Sequence, residues 1–316
     1  METTKKYHRH SRWEVAETHA IKIMPRDLEY LYRLFIHGPL SSAMLHNLVS
    51  PAVRRKETTE RLKIMRRKPN CLVEVPKQSR EAHNANYQPL MYKITDTGVQ
   101  VLLLKGRIPE EVAHLHFILR QNYRTFHHDA LAAYITASIE LGGNEEGVKF
   151  FGWDYIFTHP KTPQATKHSD NPLRIPYKID GNDKFLVPDA LFAIETKDGK
   201  TCFALEADMH NEPIDPHELN RSSYGNKLTG YLAIFQSELY KAHWGIPNMQ
   251  VLNATISQIH MANIMKHLKR ISTKTRPFLF KALPSMSKYE NKPVISGHML
   301  TTEWLRVGHE NKLMYK

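Results

Sequence analysis

The sequence predicts an α+β protein in which a small domain of helices and a β-hairpin precedes a mixed sheet flanked by helices. Three helical patterns and two strand patterns occur before residue 96. From residue 127 to residue 271 the order is helix, three strands, helix, strand, helix. The two parts also differ in charge. Residues 1–126 contain 22 Lys and Arg and 12 Asp and Glu, whereas residues 127–316 contain 22 Lys and Arg and 20 Asp and Glu. This difference assigns the basic character to the first part.

The first part begins with PRDLEYLYRLFIHG, residues 25–38, in which apolar residues recur at helical spacing. LSSAMLHNLV predicts a second helix with Ser41 or Ser42 as its N-cap. AVRRKETTERLKIMRRKP predicts a third helix, which Pro69 ends. The strand patterns CLVEV and LMYKIT then flank a polar tip at residues 76–89. Three helices followed by a hairpin predict a winged helix-turn-helix, whose third helix enters the major groove of duplex DNA.

The third helix and the wing carry the cations that we expect to contact DNA. Positive charges on a recognition helix are typical of phosphate and base contacts. A solvated helix face without a DNA role, or a winged helix that contacts protein, is the alternative. The candidates are Arg54, Arg55, Lys56, Arg61, Lys63, Arg66 and Arg67 on the helix, all expected to face water, and Lys77 and Arg80 in the wing.

Composition excludes several classes of protein. No apolar run approaches the length that spans a bilayer, and the N-terminal residues lack the apolar core of a signal peptide. Cys71 and Cys202 are too few for a disulfide framework or a cysteine zinc site. The net charge of +12 and the pI of about 9.5 favour a polyanion such as nucleic acid. We therefore expect a soluble cytoplasmic protein that binds double-stranded DNA and no membrane.

In the second part, HHDALAAYITASIELG predicts a helix and VKFFGWDYIF a strand, followed by a long loop at residues 159–184. Residues 185–194 and 201–208 predict two strands joined by a tight turn at Lys197-Asp198-Gly199. Residues 215–240 predict a helix, MQVLNATIS a strand, and IHMANIMKHLKRI a final helix.

Three carboxylates lie within these strand patterns. Because side chains alternate along a strand, Glu206 and Asp208 share one face, and the hairpin brings Asp189 beside Glu206. Neighbouring carboxylates in an apolar setting repel each other unless one is protonated or a cation bridges them. Oxygen ligands suit Mg²⁺ or Mn²⁺. The sequence therefore predicts a metal site at Asp189, Glu206 and Asp208.

This arrangement resembles the PD-(D/E)XK nuclease core, with Pro188-Asp189 as its first half and Glu206-Ala207-Asp208 as its second. Together with a basic winged helix, the chain resembles the replication-relaxation family of plasmids and other mobile elements, through PDALF, FALEAD and a following Lys227-Leu228 and Tyr231. The resemblance covers residues 25–256. It implies a restriction-endonuclease-like α/β core with a mixed sheet, and a role in plasmid replication or mobilisation, where some related relaxases nick a transfer origin.

The sequence departs from the nuclease pattern at one position, because Asp208 stands where that pattern usually has lysine. Lys227 on the following helix is a substitute, so that the catalytic candidates are Asp189, Glu206, Asp208 and Lys227. Tyr224 and Tyr231 share its helical stripe with Asn220. Further candidate ligands are His210, Glu212, Asp129 and Glu140.

Two functions remain open at this point. The first is a metal-dependent endonuclease or relaxase. The second is a non-catalytic replication or mobilisation factor that binds a DNA site with a degenerate nuclease fold, as a homodimer or with other mobilisation or replication proteins. In both, residues 1–125 form the winged-helix domain with a basic N-terminal arm. Residues 126–271 form the nuclease-like domain and residues 272–316 a C-terminal extension.

Overall fold

The protein is a mixed α+β structure with a small N-terminal sheet and a larger five-stranded sheet. This computed structural model describes residues 13, 15, 17–80, 88–120, 126–179, 181–209, 213–214, 223–286 and 296–316, without the side chains of residues 80 and 116–120. Among the helices so described, none has the length and apolar character needed to cross a membrane.

The N-terminal part contains the predicted helices and strands. Its helices are α1 (Pro25–His37), α2 (Ser42–Val49), α3 (Arg55–Arg66), α4 (Asp96–Leu104) and α5 (Glu110–Arg120). Its strands are β1 (Leu40–Ser41), β2 (Val73–Glu74) and β3 (Met91–Ile94), which pair antiparallel in the order β1-β3-β2. Ser41 caps α2, since its side chain accepts a hydrogen bond from the backbone N of Met44 at 3.2 Å. Residues 81–87, most of the predicted wing tip, lie outside the described residues.

The second part begins with the long helix α6 (Phe126–Glu146). It continues with β4 (Lys149–Phe151), α7 (Trp153–Thr158), α8 (Gln164–Lys167), β5 (Ile175–Ile179), β6 (Asn182–Leu186), β7 (Ala190–Thr196) and β8 (Gly199–Asp208). It ends with α9 (Tyr224–Gln236), α10 (Leu239–Trp244), β9 (Gln250–Thr255), α11 (Gln258–Ile271), β10 (Phe278–Ala282) and α12 (His298–Thr301).

The larger sheet has the strand order β10-β9-β8-β7-β4. Strands β4, β7 and β8 form an antiparallel meander, while β9 is parallel to β8 and β10 is parallel to β9. The predicted tight turn between β7 and β8 is confirmed, because Thr196 pairs with Gly199 across two turn residues. Gly199 has a φ of 120°, a conformation that a side chain would strain.

Three predictions about this part were wrong in detail. The strand predicted for residues 148–157 stops at Phe151, because Gly152 caps α7 and the buried Trp153 packs against α1. The loop predicted for residues 159–184 contains α8 and the β5–β6 hairpin, whose alternating burial in IPYKI is a strand pattern. The strand predicted for residues 185–194 is divided between β6 and β7.

The predicted helix at residues 215–240 is interrupted in its described part, where α9 ends at Gln236 and α10 begins at Leu239. Its described part begins at α9, which Ser223 caps by accepting from the backbone N of Asn226 at 3.2 Å. Residues 215–222 lie outside the described residues.

One hydrophobic core joins the two parts of the chain. Phe35 of α1 lies against Trp153 of α7 with ring centroids 5.0 Å apart, and the indole nitrogen of Trp153 donates to the carbonyl of Ile36 at 3.2 Å. A buried ionic cluster lies in the same interface. The Oε2 of Glu140 is 2.6 Å from Nε2 of His37, and its Oε1 is 2.9 Å from Nε of Arg33.

Described residues from the segment 272–316 pack into the same core. Strand β10 forms one edge of the larger sheet, and α12 packs against α6. Ser138 on α6 donates to the carbonyl of Ser296 at 2.5 Å and accepts from the backbone N of Met299 at 3.2 Å. A Cβ added at Gly142 would lie 2.5 Å from the carbonyl oxygen of Gly297, so this close approach requires glycine.

Candidate functional site

The β7–β8 hairpin places the three predicted carboxylates at one end of the larger sheet. Ala190 pairs with Leu205, and the backbone N of Asp189 donates to the carbonyl of Leu205 at 2.8 Å. Asp189 therefore lies next to Glu206 across the strand pair. Asp208 is two residues further along β8, and its side chain leaves the same face of the sheet.

Asp189 is fixed by one backbone donor and one histidine. Its Oδ2 accepts a hydrogen bond from the backbone N of Ala207 at 2.7 Å and lies 3.0 Å from Nε2 of His128. His128 comes from the first turn of α6, and the Asp189 side chain is 5% exposed. The first helix of the second part therefore contributes to the site as well as the hairpin.

Glu206 is the most buried of the three acids, with its side chain 1% exposed. The Tyr231 hydroxyl donates to Oε1 at 2.6 Å, and Nζ of Lys227 lies 3.1 Å from Oε2. Burial raises the pKa of Glu206 to about 7, the charge of Asp189 also raises it, and Lys227 and Tyr231 lower it. The cluster therefore contains one carboxyl group with a pKa close to 7, and this group lies beside a second carboxylate and a lysine.

Asp208 has a different partner, because His260 near the start of α11 places Nε2 2.8 Å from its Oδ2. The His260 ring also meets the edge of Tyr224, with ring centroids 6.3 Å apart. The Tyr224 hydroxyl donates to Oδ1 of Asn253 at 2.9 Å. Asp208 thus belongs to a neighbouring polar network between α9, α11 and the sheet.

The chemistry of the cluster fits a divalent cation at two of the three predicted ligands. Mg²⁺ is commonly held by one or two carboxylates together with water and substrate phosphate, and Asp189 and Glu206 are adjacent carboxylates of this kind. Asp208 lies against His260 instead. Among the described residues, there is no group of three or more His, Cys, Asp or Glu side chains that could hold a metal ion.

The remaining candidate ligands have different positions. Glu140 is twelve residues after His128 on α6 and therefore about 18 Å along the helix axis, so the suggestion that it completes the metal shell was wrong. Asp129 lines the same cleft as Asp189. His210, Glu212 and Asn220 lie outside the described residues.

Sequence reasoning missed His128 and His260 as partners of the acids. His128 follows His127 in the sequence, and a His-His pair alone is a weak signal. Only the packing of α6 on the sheet brings it to Asp189, 61 residues away. His260 lies 52 residues after Asp208, at the start of a helix that was predicted without a role in the site.

The structure separates the DNA-binding candidates into exposed and internal side chains. Arg54, Arg55, Lys56 and Lys77 are exposed, and Lys63 pairs with Glu60 at 2.7 Å. Arg67 is half-buried, and the side chain of Arg80 is outside the described set. The expectation that Arg66 faces water was wrong, because Arg66 is buried and donates to the carbonyl of Trp13.

Arg61 also has an internal role, contrary to the expectation that it faces water. Its Nε donates to Oδ1 of Asp27 at 2.8 Å, and its Nη2 donates to the carbonyl of Lys22 at 2.9 Å. Asp27 is fully buried in the first turn of α1, where its Oδ2 accepts from the backbone N of Met24 at 2.8 Å. Arg61 therefore ties α3 to the start of α1.

We expect Arg61→Ala to lower the free energy of unfolding by about 1.5–3 kcal/mol, the range for hydrogen bonds to charged groups. The substitution leaves the buried carboxylate of Asp27 without its guanidinium. Urea denaturation measures the effect, with Arg55→Ala as the exposed control on the same helix. Equal stabilities of the two variants would contradict the structural role of Arg61.

A family model for replication-relaxation proteins matches residues 31–249, which is more than half of the chain, and the chain belongs to this family. The predicted resemblance is thereby confirmed at family level. Membership suggests a role in plasmid replication or relaxation. Comparisons with curated proteins and with solved structures gave no match.

Proposed function

We propose that this protein binds duplex DNA of a plasmid or other mobile element through its N-terminal part and nicks a phosphodiester at the Asp189–Glu206 cluster with Mg²⁺ or Mn²⁺. The observation that carries the proposal is the adjacency of two buried acids with Lys227, which lies 3.1 Å from Glu206. The lysine comes from α9, while Asp208 occupies the usual lysine position on the strand. A lysine on α9 instead of on the strand still places a positive charge near the reacting phosphate.

The topology supports the same proposal. Helix α6, the antiparallel meander β4-β7-β8, helix α9 and the strand β9 parallel to β8 follow the order expected of a restriction-endonuclease-like core. The three helices and small antiparallel sheet of the N-terminal part likewise support a winged helix-turn-helix. Exposed Arg54, Arg55 and Lys56 at the start of α3 are positioned to meet phosphates.

The proposed roles of the residues follow from their contacts. Asp189 and Glu206 would hold the cation, which would supply stabilisation of negative charge on a phosphate and activation of water. His128 and the backbone of Ala207 orient Asp189. Lys227 and Tyr231 favour the charged form of Glu206, since both lower its pKa against the effect of burial.

A second function is favoured by a different observation. Each carboxylate has a partner within the protein: His128 for Asp189, Lys227 and Tyr231 for Glu206, and His260 for Asp208. Carboxylates with such hydrogen-bonding and ionic partners stabilise a fold without a metal. The protein is then a non-catalytic replication or mobilisation factor, which binds DNA alone, as a homodimer or with other such proteins.

Asp189→Asn separates these functions. If the cluster holds a metal, Mn²⁺ raises the melting temperature of the parent protein, and the parent nicks supercoiled plasmid carrying the cognate origin. The variant loses both effects because one ligand charge is gone. The apo variant remains folded, since the amide oxygen still accepts from the backbone N of Ala207.

Asp198→Asn is the matched control, because Asp198 is exposed at the turn of the same β7–β8 hairpin. It should retain both effects. Absence of any Mn²⁺ shift in the parent, with DNA also present, would contradict the nuclease proposal and leave the non-catalytic factor.

A further inference from the structure

The C-terminal quarter of the chain is also basic. Residues 127–238 contain 10 Lys and Arg against 17 Asp and Glu, whereas residues 239–316 contain 12 against 3. No Asp or Glu occurs from Leu239 to Tyr289, a stretch that contains eight Lys and Arg. The basic character therefore belongs to both ends of the chain, and the expectation that the first part alone carries it was wrong.

The fold gathers part of this charge into one groove. The groove has a volume of about 710 Å³ and lies between the β5–β6 hairpin, α9 and the end of α11. Its cationic side chains are Lys178, Lys269, Arg270 and Lys274, and all four residues are exposed. Among the described residues that line it, none is Asp or Glu. Lys178 lies 3.4 Å from Asp183, which is exposed on the neighbouring strand of the hairpin.

The loop that carries Lys274 is held in place. The buried Thr275 donates from its hydroxyl to the carbonyl of Val307 at 2.8 Å, and the backbone N of Lys274 donates to Oγ of Ser272 at 3.0 Å. The backbone of this loop is therefore fixed before any partner arrives, which lowers the entropic cost of binding.

A second group of cations, Arg276, Arg306 and Lys312, lies close together after this loop. Arg306 donates from Nη2 to the carbonyl of Arg276 at 3.2 Å. Burial lowers the pKa of Lys312, and the charges of Arg306 and Arg276 lower it further. Like charges held within each other's influence favour an anionic partner, because that partner relieves their repulsion.

The groove is distinct from the Asp189–Glu206 cluster. Successive residues of a helix are turned by about 100°, so Lys227 and Tyr231, which contact Glu206, lie on one side of α9. Thr229, Leu232 and Ala233, which line the groove, lie on the other side.

We propose that the groove between the β5–β6 hairpin and the end of α11 is a second DNA-binding surface, which takes the phosphate backbone of the DNA that the N-terminal part also holds. A row of exposed cations is complementary to a phosphate backbone. This inference rests on the proposed DNA-binding function, and it adds a contact outside both the third helix and the acid cluster.

The test is the affinity of the full-length protein for a labelled duplex over a range of salt concentrations. We expect Lys269→Glu, Arg270→Glu and Lys274→Glu, combined in one variant, to weaken binding at least tenfold at low salt. The slope of log affinity against log salt should become shallower by about 2–3, since each lost phosphate contact contributes about 0.9.

Two other variants serve as controls for this experiment. Lys149→Glu, Lys161→Glu and Lys197→Glu make the same charge change at exposed positions outside the groove. Arg54→Glu, Arg55→Glu and Lys56→Glu test the N-terminal contact. Melting temperatures show that each variant is folded.

If the groove variant and the charge control weaken binding equally, net charge explains the effect and the inference is overturned. If the groove variant binds like the parent while the N-terminal variant fails, the inference is overturned and the proposed function stands. If the groove variant fails while the N-terminal variant binds like the parent, the groove is supported and the N-terminal assignment is wrong.

Discussion

Replacing Glu140 with alanine is expected to lower the free energy of unfolding by about 3–5 kcal/mol, because removal of one partner leaves buried charge without compensation. Glu140 is 2.6 Å from His37 and 2.9 Å from Arg33, and its side chain is 8% exposed. These contacts join α6 to α1, so the loss weakens the interface between the two parts of the chain. Urea denaturation followed by circular dichroism measures the change.

Glu60→Ala is the control for this experiment, since Glu60 forms an exposed ion pair with Lys63, and such pairs contribute about 0–1 kcal/mol. A loss below 1 kcal/mol for Glu140→Ala would contradict the importance of the cluster.

The same cluster gives a dependence on pH. Burial alone would raise the pKa of Glu140, but the hydrogen bond and charge of His37 and the charge of Arg33 hold it below its ordinary value of 4.5. A lowered carboxyl pKa stabilises the fold above pH 4.5, and this contribution is lost as the pH falls through the lowered value. The difference in stability between the parent and Glu140→Gln should therefore shrink below pH 4.5.

Trp304→Ala is expected to cost about 3–5 kcal/mol, the range for truncating a buried aromatic side chain. Trp304 is fully buried, its indole nitrogen donates to the carbonyl of Met299 at 2.9 Å, and Lys281 lies 4.8 Å from its ring centroid. Its neighbour Leu305 is bridged to Phe280 of β10. The substitution therefore removes packing beneath the edge of the larger sheet, and thermal unfolding measures the loss.

Leu104→Ala serves as the apolar control, because Leu104 is 81% exposed at the end of α4. Equal melting temperatures for the two variants would contradict the contribution of Trp304 to the core.

Much of the fold follows from local patterns. The periodicity of PRDLEYLYRLFIHG and the alternation around Lys197-Asp198-Gly199 predict α1 and the β7–β8 hairpin, because these elements depend on their own residues. Elements decided by distant contacts were missed. Helix α7 forms where Trp153 packs on α1, and β10 joins the sheet through pairing with β9.

The residues of the site fall into the same two groups: those that local patterns predict and those that depend on distant contacts. Alternation and a hairpin were enough to bring Asp189 to Glu206, and the helical stripe of α9 was enough to place Lys227 and Tyr231. His128, His260 and the separate pairing of Asp208 depend on how α6 and α11 pack across the sheet, which no local spacing encodes. Arg61 and Arg66 point inward for a similar reason, since their partners Asp27 and Trp13 are remote in the sequence.

The close approach of α6 to the segment before α12 has a consequence for biosynthesis. Ser138 bonds to Ser296 across 158 residues of chain, and contacts of such sequence separation form slowly because a long loop must close first. The ribosome therefore releases α6 long before the residues that cover this side of the helix exist. We therefore expect a nascent chain that ends near residue 271 to leave uncovered the side of α6 that Ser296 and Met299 contact, and folding to be completed only after these residues have been synthesised.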